Sequence, residues 1–164
     1  TYWKIEERYT YISLITDAYS HKIVGYHLAQ TLESVETIKA LHLAMAQLPD
    51  RVSKPLTHHS DRGVQYCSEN YVKLLQDKGI EISMTENGDP LENAIAERIN
   101  GILKSEYLKH YNSKNFREAK EHLHLAVKLY NQDRPHFSIG LLTPDEVHSK
   151  ELNVEKLWKN YFIQ

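Results

Sequence analysis

From Tyr9 to Thr16 the chain reads Tyr-Thr-Tyr-Ile-Ser-Leu-Ile-Thr, a run rich in β-branched and aromatic residues. Such a run favours a pleated strand over a helix. A second run of this kind, Lys22 to Leu28, follows a short polar break at Ser20-His21, and Glu6-Glu7 are placed to turn the chain ahead of the first. Residues 1–30 therefore read as a cluster of strands. After them the pattern alternates. Ser34 is placed to cap a helix over about Val35 to Gln47, where Val35, Ile38, Leu41 and Ala44 keep helical spacing. Pro49 and Pro55 bracket a loop, and Leu56 to His59 is a short strand. Ser68 caps a helix from Glu69 to Lys78, which Gly79 closes, and Glu81 to Thr85 is a further strand. Glu86 to Pro90 is the most turn-rich stretch. Helices follow over about Glu92 to His110 and Phe116 to Asn131; Arg134 to Thr143 is irregular, and Pro144 starts a helical tail. This order predicts an α/β domain, a mixed sheet flanked by helices.

The 164 residues suit one domain with a sizeable core. No segment approaches the ~20 consecutive apolar residues of a membrane span, and the first residues do not have the pattern of a signal peptide. Cys67 is the single cysteine, which excludes an internal disulfide framework and makes a cytoplasmic protein the default. It reads as a small buried residue. The net charge is −2, without the overall basic excess usual in nucleic-acid binders. Between Arg98 and His136, however, eight Lys/Arg stand against four acids, and four histidines lie in the same stretch. That half of the chain could face phosphates or simply be a solvated helical face.

Two carboxylates are candidates for chemistry. Asp61 directly follows a short apolar strand, in Ser60-Asp61-Arg62-Gly63. A carboxylate at the C-terminal end of a strand can reach into a crevice, though Asp-x-Gly is also a common turn. Glu97 lies early in a helix, where the macrodipole favours an acid. Helical spacing puts Asn93, Glu97, Gly101, Lys104 and Leu108 on one stripe, and Ile95, Ile99, Ile102 and Leu103 on another. Each acid alone has an ordinary structural explanation.

Together they are more specific. Thirty-five residues separate Asp61 from Glu97, and the surrounding motifs are His58-His59-Ser60-Asp61-Arg62-Gly63-Val64-Gln65-Tyr66 and Gly88 to Glu97. Leu103-Lys104-Ser105-Glu106, Tyr130-Asn131 with Arg134-Pro135-His136, and Leu141 to Val147 follow in order, and Asp17 to Tyr26 precedes them. In these motifs the chain resembles the DDE integrase catalytic core of bacterial insertion-sequence transposases, which belongs to the retroviral-integrase-like superfamily. The resemblance covers about residues 1–148 and leaves 149–164 as a C-terminal tail whose apolar and aromatic residues (Leu157, Trp158, Tyr161, Phe162, Ile163) could pack on the domain or on a second subunit.

The resemblance implies an RNase H-like fold with a five-stranded mixed sheet. Its first three strands would be antiparallel, and the short strand before Asp61 would be parallel. It implies a polynucleotidyl transferase that cleaves and joins DNA strands at transposon ends. It also implies Mg²⁺ or Mn²⁺ in a two-metal site held by Asp61 and Glu97, with DNA contacts from Lys104, Asn93 and Arg98. Oxygen-only ligands suit hard divalent cations, and two ions about 3.5–4 Å apart can serve an in-line displacement. DNA is the implied partner, in a homo-oligomer with no membrane association, in the bacterial cytoplasm at the nucleoid. In one respect the chain departs from the pattern. The family's first catalytic Asp falls two residues before Thr1, so the residues given are expected to bind metal weakly and to catalyse little. Asp17 matches a structural position and is no substitute. The rival readings are a metal nuclease on the same fold and a non-catalytic DNA-binding or dimerisation remnant of a mobile element.

Zinc is not expected. His58 and His59 are neighbours on a strand and point to opposite faces, and no finger-like set of ligands accompanies them. The tyrosines read mostly as core residues, with base stacking the alternative for some.

Overall fold

The computed structural model describes residues 1–48, 55–85, 93–150 and 154. The opening strands form as the sequence predicts. β1 (Tyr2–Ile5), β2 (Arg8–Thr16) and β3 (Ile23–Ala29) make an antiparallel sheet in that order. Glu6 and Glu7 form the first turn, with Glu6 at φ 50°. Residues 13 and 15 face one way and 12 and 14 the other, as strand alternation requires. Ile12, Leu28 and Ile5 pack with Ile99, Leu103, Leu123, Val127 and Tyr130 in one core, with Trp3, Leu14 and Tyr26 against it. These partners come from α3 (Ala94–Ile102), the turn after it, and α4 (Phe116–Asp133).

The opposite face of the sheet receives α1 (Ser34–Met45) at Gly25. A Cβ there would collide with the Ala40 carbonyl oxygen and lie 2.9 Å from Ala44 Cβ, so the helix rests on backbone. Leu41 and Met45 of α1 then meet Tyr71 and Leu75 of α2 (Glu69–Asp77), with Ile80, in a second core. Gly79 ends α2 in the left-handed region (φ 68°), as the sequence predicts. Ser34 is not the cap: it is the first helical residue, Glu33 holds the cap position, and no side chain caps the helix.

β4 (Thr57–Ser60) and β5 (Glu81–Met84) pair in parallel. The expected single five-stranded sheet is therefore corrected. Among the described residues there are a three-stranded antiparallel sheet and a two-stranded parallel one. Thr1 and Ile12 exchange backbone hydrogen bonds (2.7 and 2.9 Å), Ser13 to Thr16 pair with β3, and among the described residues β4 and β5 pair only with each other. A cavity of about 610 Å³, lined by Leu14, Thr16, Thr57 and Ser60 among others, lies between the two sheets.

The long helix predicted over 92–110 is a composite. Ala94–Ile102 is α-helical, Leu103–Tyr107 is a π turn, and Leu108–His110 is a 3₁₀ turn. The Leu108 N–H donates to the Leu103 carbonyl, five residues back. Leu103 and Leu108 are both buried, which i to i+5 spacing allows and uninterrupted α spacing does not. Leu108 thus leaves the Glu97 stripe for the core, while Ile95, expected on the apolar stripe, is exposed.

The Tyr130-Asn131 motif locks α4 to β3. Asn131 accepts from the Ile23 N–H and donates to the Ile23 carbonyl, each at 3.0 Å, and the Tyr130 hydroxyl donates to the His21 carbonyl. α4 opens on a reciprocal cap: Asn115 accepts from the Glu118 N–H at 2.9 Å, and Glu118 accepts from the Lys114 N–H. Thr143 and Glu146 cap α5 (Pro144–Lys150) in the same way. Expectations for the 49–54 loop, the 86–90 turn and the tail at 151–153 and 155–164 lie outside the described residues.

Candidate active site

Asp61 stands one residue beyond β4, past the buried Ser60. Its Oδ1 accepts the Gly63 N–H at 2.9 Å, a local turn that holds one carboxylate oxygen and leaves Oδ2 for other partners. A Cβ on Gly63 would come within 2.6 Å of Gln65 Nε2 and 2.9 Å of Asp61 Oδ1, so the Asp61-x-Gly63 spacing serves a close approach. Tyr66 lies alongside: burial and the Asp61 charge raise its hydroxyl pKa, and a Gln65 hydrogen bond opposes them. Gln65 and Tyr66 sit in the quoted motif, but nothing in their residue types signals that they would flank the carboxylate.

Asp61 lines the cavity between the sheets, and Asn93, Ala96 and Asn100 line its α3 side. Ile95 lines it too, and Glu97, one helical turn after Asn93, lies outside this lining. Its N–H donates to the Asn93 carbonyl at 3.1 Å, and its side chain is exposed. Two buried oxygens at the cavity wall, Ser60 Oγ and Asn100 Oδ1, have no hydrogen-bond partner among the described residues.

Lys104, in the π turn, reaches the edge of the sheet. Its Nζ is 3.5 Å from Thr1 Oγ1 and 4.5 Å from the centre of the Tyr2 ring. Arg98 acts elsewhere: its charge is felt at His21, Tyr130 and His136. Asp17 has the structural role expected of it. Its Oδ1 accepts from both the Ser20 N–H and the Ser20 hydroxyl at 2.6 Å.

Two of the sequence motifs meet in an ion pair. Arg134 Nε and Nη2 donate to Glu106 Oε2 and Oε1 at 2.7 and 2.8 Å, which lowers the Glu106 pKa. Arg134 Nη1 lies 3.2 Å from Nδ1 of His136. His136 is 3% exposed. Its pKa is pushed down to about 4, first by burial, then by Arg134, His21 and Arg98, with Glu106 opposing. In the unfolded chain a histidine takes its proton near pH ~6.5. Between about 6.5 and about 4 the unfolded state therefore binds more protons, and stability rises with pH across that window. His21, lowered by burial first, adds in the same direction. We expect the folding free energy to hold above pH ~6.5 and to fall on acidification toward pH ~4, with up to ~3 kcal/mol of the fall from His136. Urea melts at several pH values check this: His136→Gln should flatten the fall, and an unaltered slope would assign it to other groups.

His58 and His59 do point apart. His58 meets the Tyr71 hydroxyl at 3.1 Å, and His59 meets the Ser83 hydroxyl at 3.0 Å. Cys67 is corrected: it is exposed, with its thiol 3.8 Å from the Met84 sulfur, because it sits in the open turn before α2 rather than within an element. The tyrosines divide. Tyr71 and Tyr130 are core, whereas Tyr2, Tyr9 and Tyr19 are exposed. Among the described residues no three His, Cys, Asp or Glu cluster so as to hold a metal ion, and no helix is long and apolar enough to cross a membrane.

Known proteins of the same kind were found by sequence and by shape. Residues 1–90 and residues 78–144 each match a family described as integrase core domain. The insertion element IS600 uncharacterized 31 kDa protein of Shigella sonnei is 34% identical over 151 residues, covering 92% of this chain and 55% of that protein. The transposase for insertion sequence element IS629, also from Shigella sonnei, is 31% identical over 147 residues, covering 89% of this chain and 48% of that protein. The chain thus spans about half the length of these curated relatives. Among solved structures, the HTLV-2 integrase catalytic core domain in complex with magnesium superposes with a TM-score of 0.71 at 22% identity, covering 90% of each chain. A chain of the simian T-cell lymphotropic virus intasome, in complex with a PP2A regulatory subunit, gives 0.79 at 19% identity, over 100% of this chain and 57% of that one. At such identities the likeness is one of fold, the RNase H-like α/β fold of integrase cores.

Proposed function

Because the chain belongs to the integrase core domain family found in insertion-sequence transposases, we propose that it is the catalytic core of a transposase that cleaves and joins DNA strands at the ends of its element. What supports this reading is Asp61 at the tip of β4, held by Gly63, on a cavity that is also lined by Asn93, Ile95, Ala96 and Asn100 at α3, the helix that carries Glu97. The donor chemistry of two exposed carboxylates fits a hard divalent cation, Mg²⁺ or Mn²⁺. Asp61 and Glu97 would hold it, and a pair of such ions would supply charge stabilisation for the attacking and leaving oxygens of phosphoryl transfer. Two acids do not complete the three-carboxylate set of the resemblance. Its first member, two residues before Thr1, would share Thr1's face on a continued β1, since side chains alternate along a strand.

The remaining residues bind and orient. Lys104 is proposed to contact a phosphate close to the carboxylates, and Asn93, at the cavity, to donate to the DNA backbone or a base edge. Arg98 would take a phosphate on the flank next to His21. The Glu106–Arg134 pair fixes the π turn that carries Lys104. The nucleophile is water in cleavage and a DNA 3′-hydroxyl in joining. The working unit is proposed to be a homo-oligomer at the bacterial nucleoid.

The test is a joining assay on labelled transposon-end duplexes with the full-length protein, in Mg²⁺ and in Mn²⁺. Products longer than the substrate, formed only with the cation, support a transposase. Cleavage without joining favours the nuclease reading, and binding without either reaction favours a non-catalytic module.

A further inference from the structure

One exposed aromatic strip takes no part in the reading above. Among the described residues β1 is an edge strand, and Tyr2 and Tyr9 on β1 and β2 are each 58% exposed. Their rings meet edge to face, with centroids 5.7 Å apart and planes at 86°. Tyr2 lies opposite Tyr11 and Lys4 opposite Tyr9, so the four side chains share one face of the sheet. It is the face away from the α3 and α4 core, and α1 rests on its far side, at Gly25 of β3. Rings left this exposed contribute little to folding by burial, so core packing does not account for them.

A cation points to what would cover them. Lys104 Nζ lies over the Tyr2 ring, 4.5 Å from its centre, and 3.5 Å from Oγ1 of the neighbouring Thr1. Tyr2 therefore stands beside the lysine proposed above to contact a phosphate. Lys4 adds positive charge on this face, and the nearby acids, Glu6 and Glu7, are confined to the turn at the end remote from Lys104.

We infer that Tyr2, Tyr9 and Lys104 form a stacking platform for unpaired bases of a DNA end bound at the proposed site, an inference that rests on that reading. Bases inside a duplex are stacked on each other; a frayed or overhanging end has free base faces, and aromatic rings take these whatever the base. Lys104 caps the Tyr2 ring in the free protein. A phosphate oxygen is a stronger partner for an ammonium than an exposed ring is, so an arriving strand draws Lys104 to its backbone and uncovers Tyr2. Tyrosine suits the task because few rotatable bonds are frozen when it is covered.

The experiment uses fluorescence anisotropy with the full-length protein and three short duplexes of arbitrary sequence. One ends in unpaired 3′ nucleotides, one carries the same overhang without bases, and one is blunt. The wild-type protein should prefer the overhang with bases to the abasic one by roughly tenfold. Tyr2→Ala should lose most of that preference, with an unchanged melting temperature, and Tyr2→Phe should keep it. Lys104→Ala should weaken binding to all three DNAs and lower the salt slope by about one. A base preference that survives in Tyr2→Ala, or disappears in Tyr2→Phe, overturns the platform. Because binding is read without turnover, the two readings fail separately. Base preference without any joining leaves the platform and removes the transposase, whereas joining without base preference does the opposite.

Discussion

Asp61→Asn should reduce strand joining by the full-length protein at least a thousandfold, a loss of ~4 kcal/mol of transition-state stabilisation. The substitution is close to isosteric, and the amide oxygen can still accept the Gly63 N–H that Asp61 Oδ1 accepts at 2.9 Å. The loop is kept, and what is lost is the negative charge that would hold the cation. Glu97→Gln should behave the same way, since its backbone contact to Asn93 is untouched and its side chain is exposed. Neither variant should shift the folding free energy beyond ~0.5 kcal/mol, the usual range for surface positions. Gel-resolved joining rates paired with urea melts separate the two effects. A variant inactive only because it is unfolded would show both losses, and near-wild-type joining in either variant would remove that residue from the site.

The largest effect on stability should come from Gly25→Ala. Its methyl group would fall onto the Ala40 carbonyl oxygen and within 2.9 Å of Ala44 Cβ, atoms of the helix backbone and of a side chain with no freedom to rotate away. Either α1 lifts from β3, opening contacts around Leu41 and Met45, or the strand bends. We expect a loss of ~3 kcal/mol in urea denaturation. Gly101→Ala is the control. Nothing lies within 4 Å of its added Cβ, and Ala is the better helix former, so stability should hold or rise by up to ~1 kcal/mol. Equal effects at the two glycines would show that α1 does not rest on β3 as described.

What the sequence made legible follows from how local each signal is. The run Tyr9 to Thr16, the Gly79 stop and the Asp61-x-Gly63 turn depend on neighbours a few residues away, and each was found where local chemistry puts it. The π turn at Leu103–Tyr107 was not legible. A periodicity argument assumes a constant turn, whereas here burial of Leu103 and Leu108 five residues apart sets the spacing. The division into two sheets is a matter of which strands pair, a property that no single strand's composition carries. Cys67 was misplaced because a burial tendency of the residue type was applied to an open turn. Asn131 and Tyr130 were singled out as a motif, but their bonds to Ile23 and His21, more than a hundred residues away, explain them only in three dimensions. The pairing of Glu106 with Arg134 is of the same kind.

Asp61 is proposed to act as a metal ligand in strand transfer. A change of ligand type tests it most directly. Thiolates suit softer ions and are poor ligands for Mg²⁺. Joining by full-length Asp61→Cys should therefore be undetectable with Mg²⁺ and partly restored with Mn²⁺, while Asp61→Asn stays silent with both. Equal joining by Asp61→Cys in the two metals, or wild-type joining by Asp61→Asn, would contradict the account.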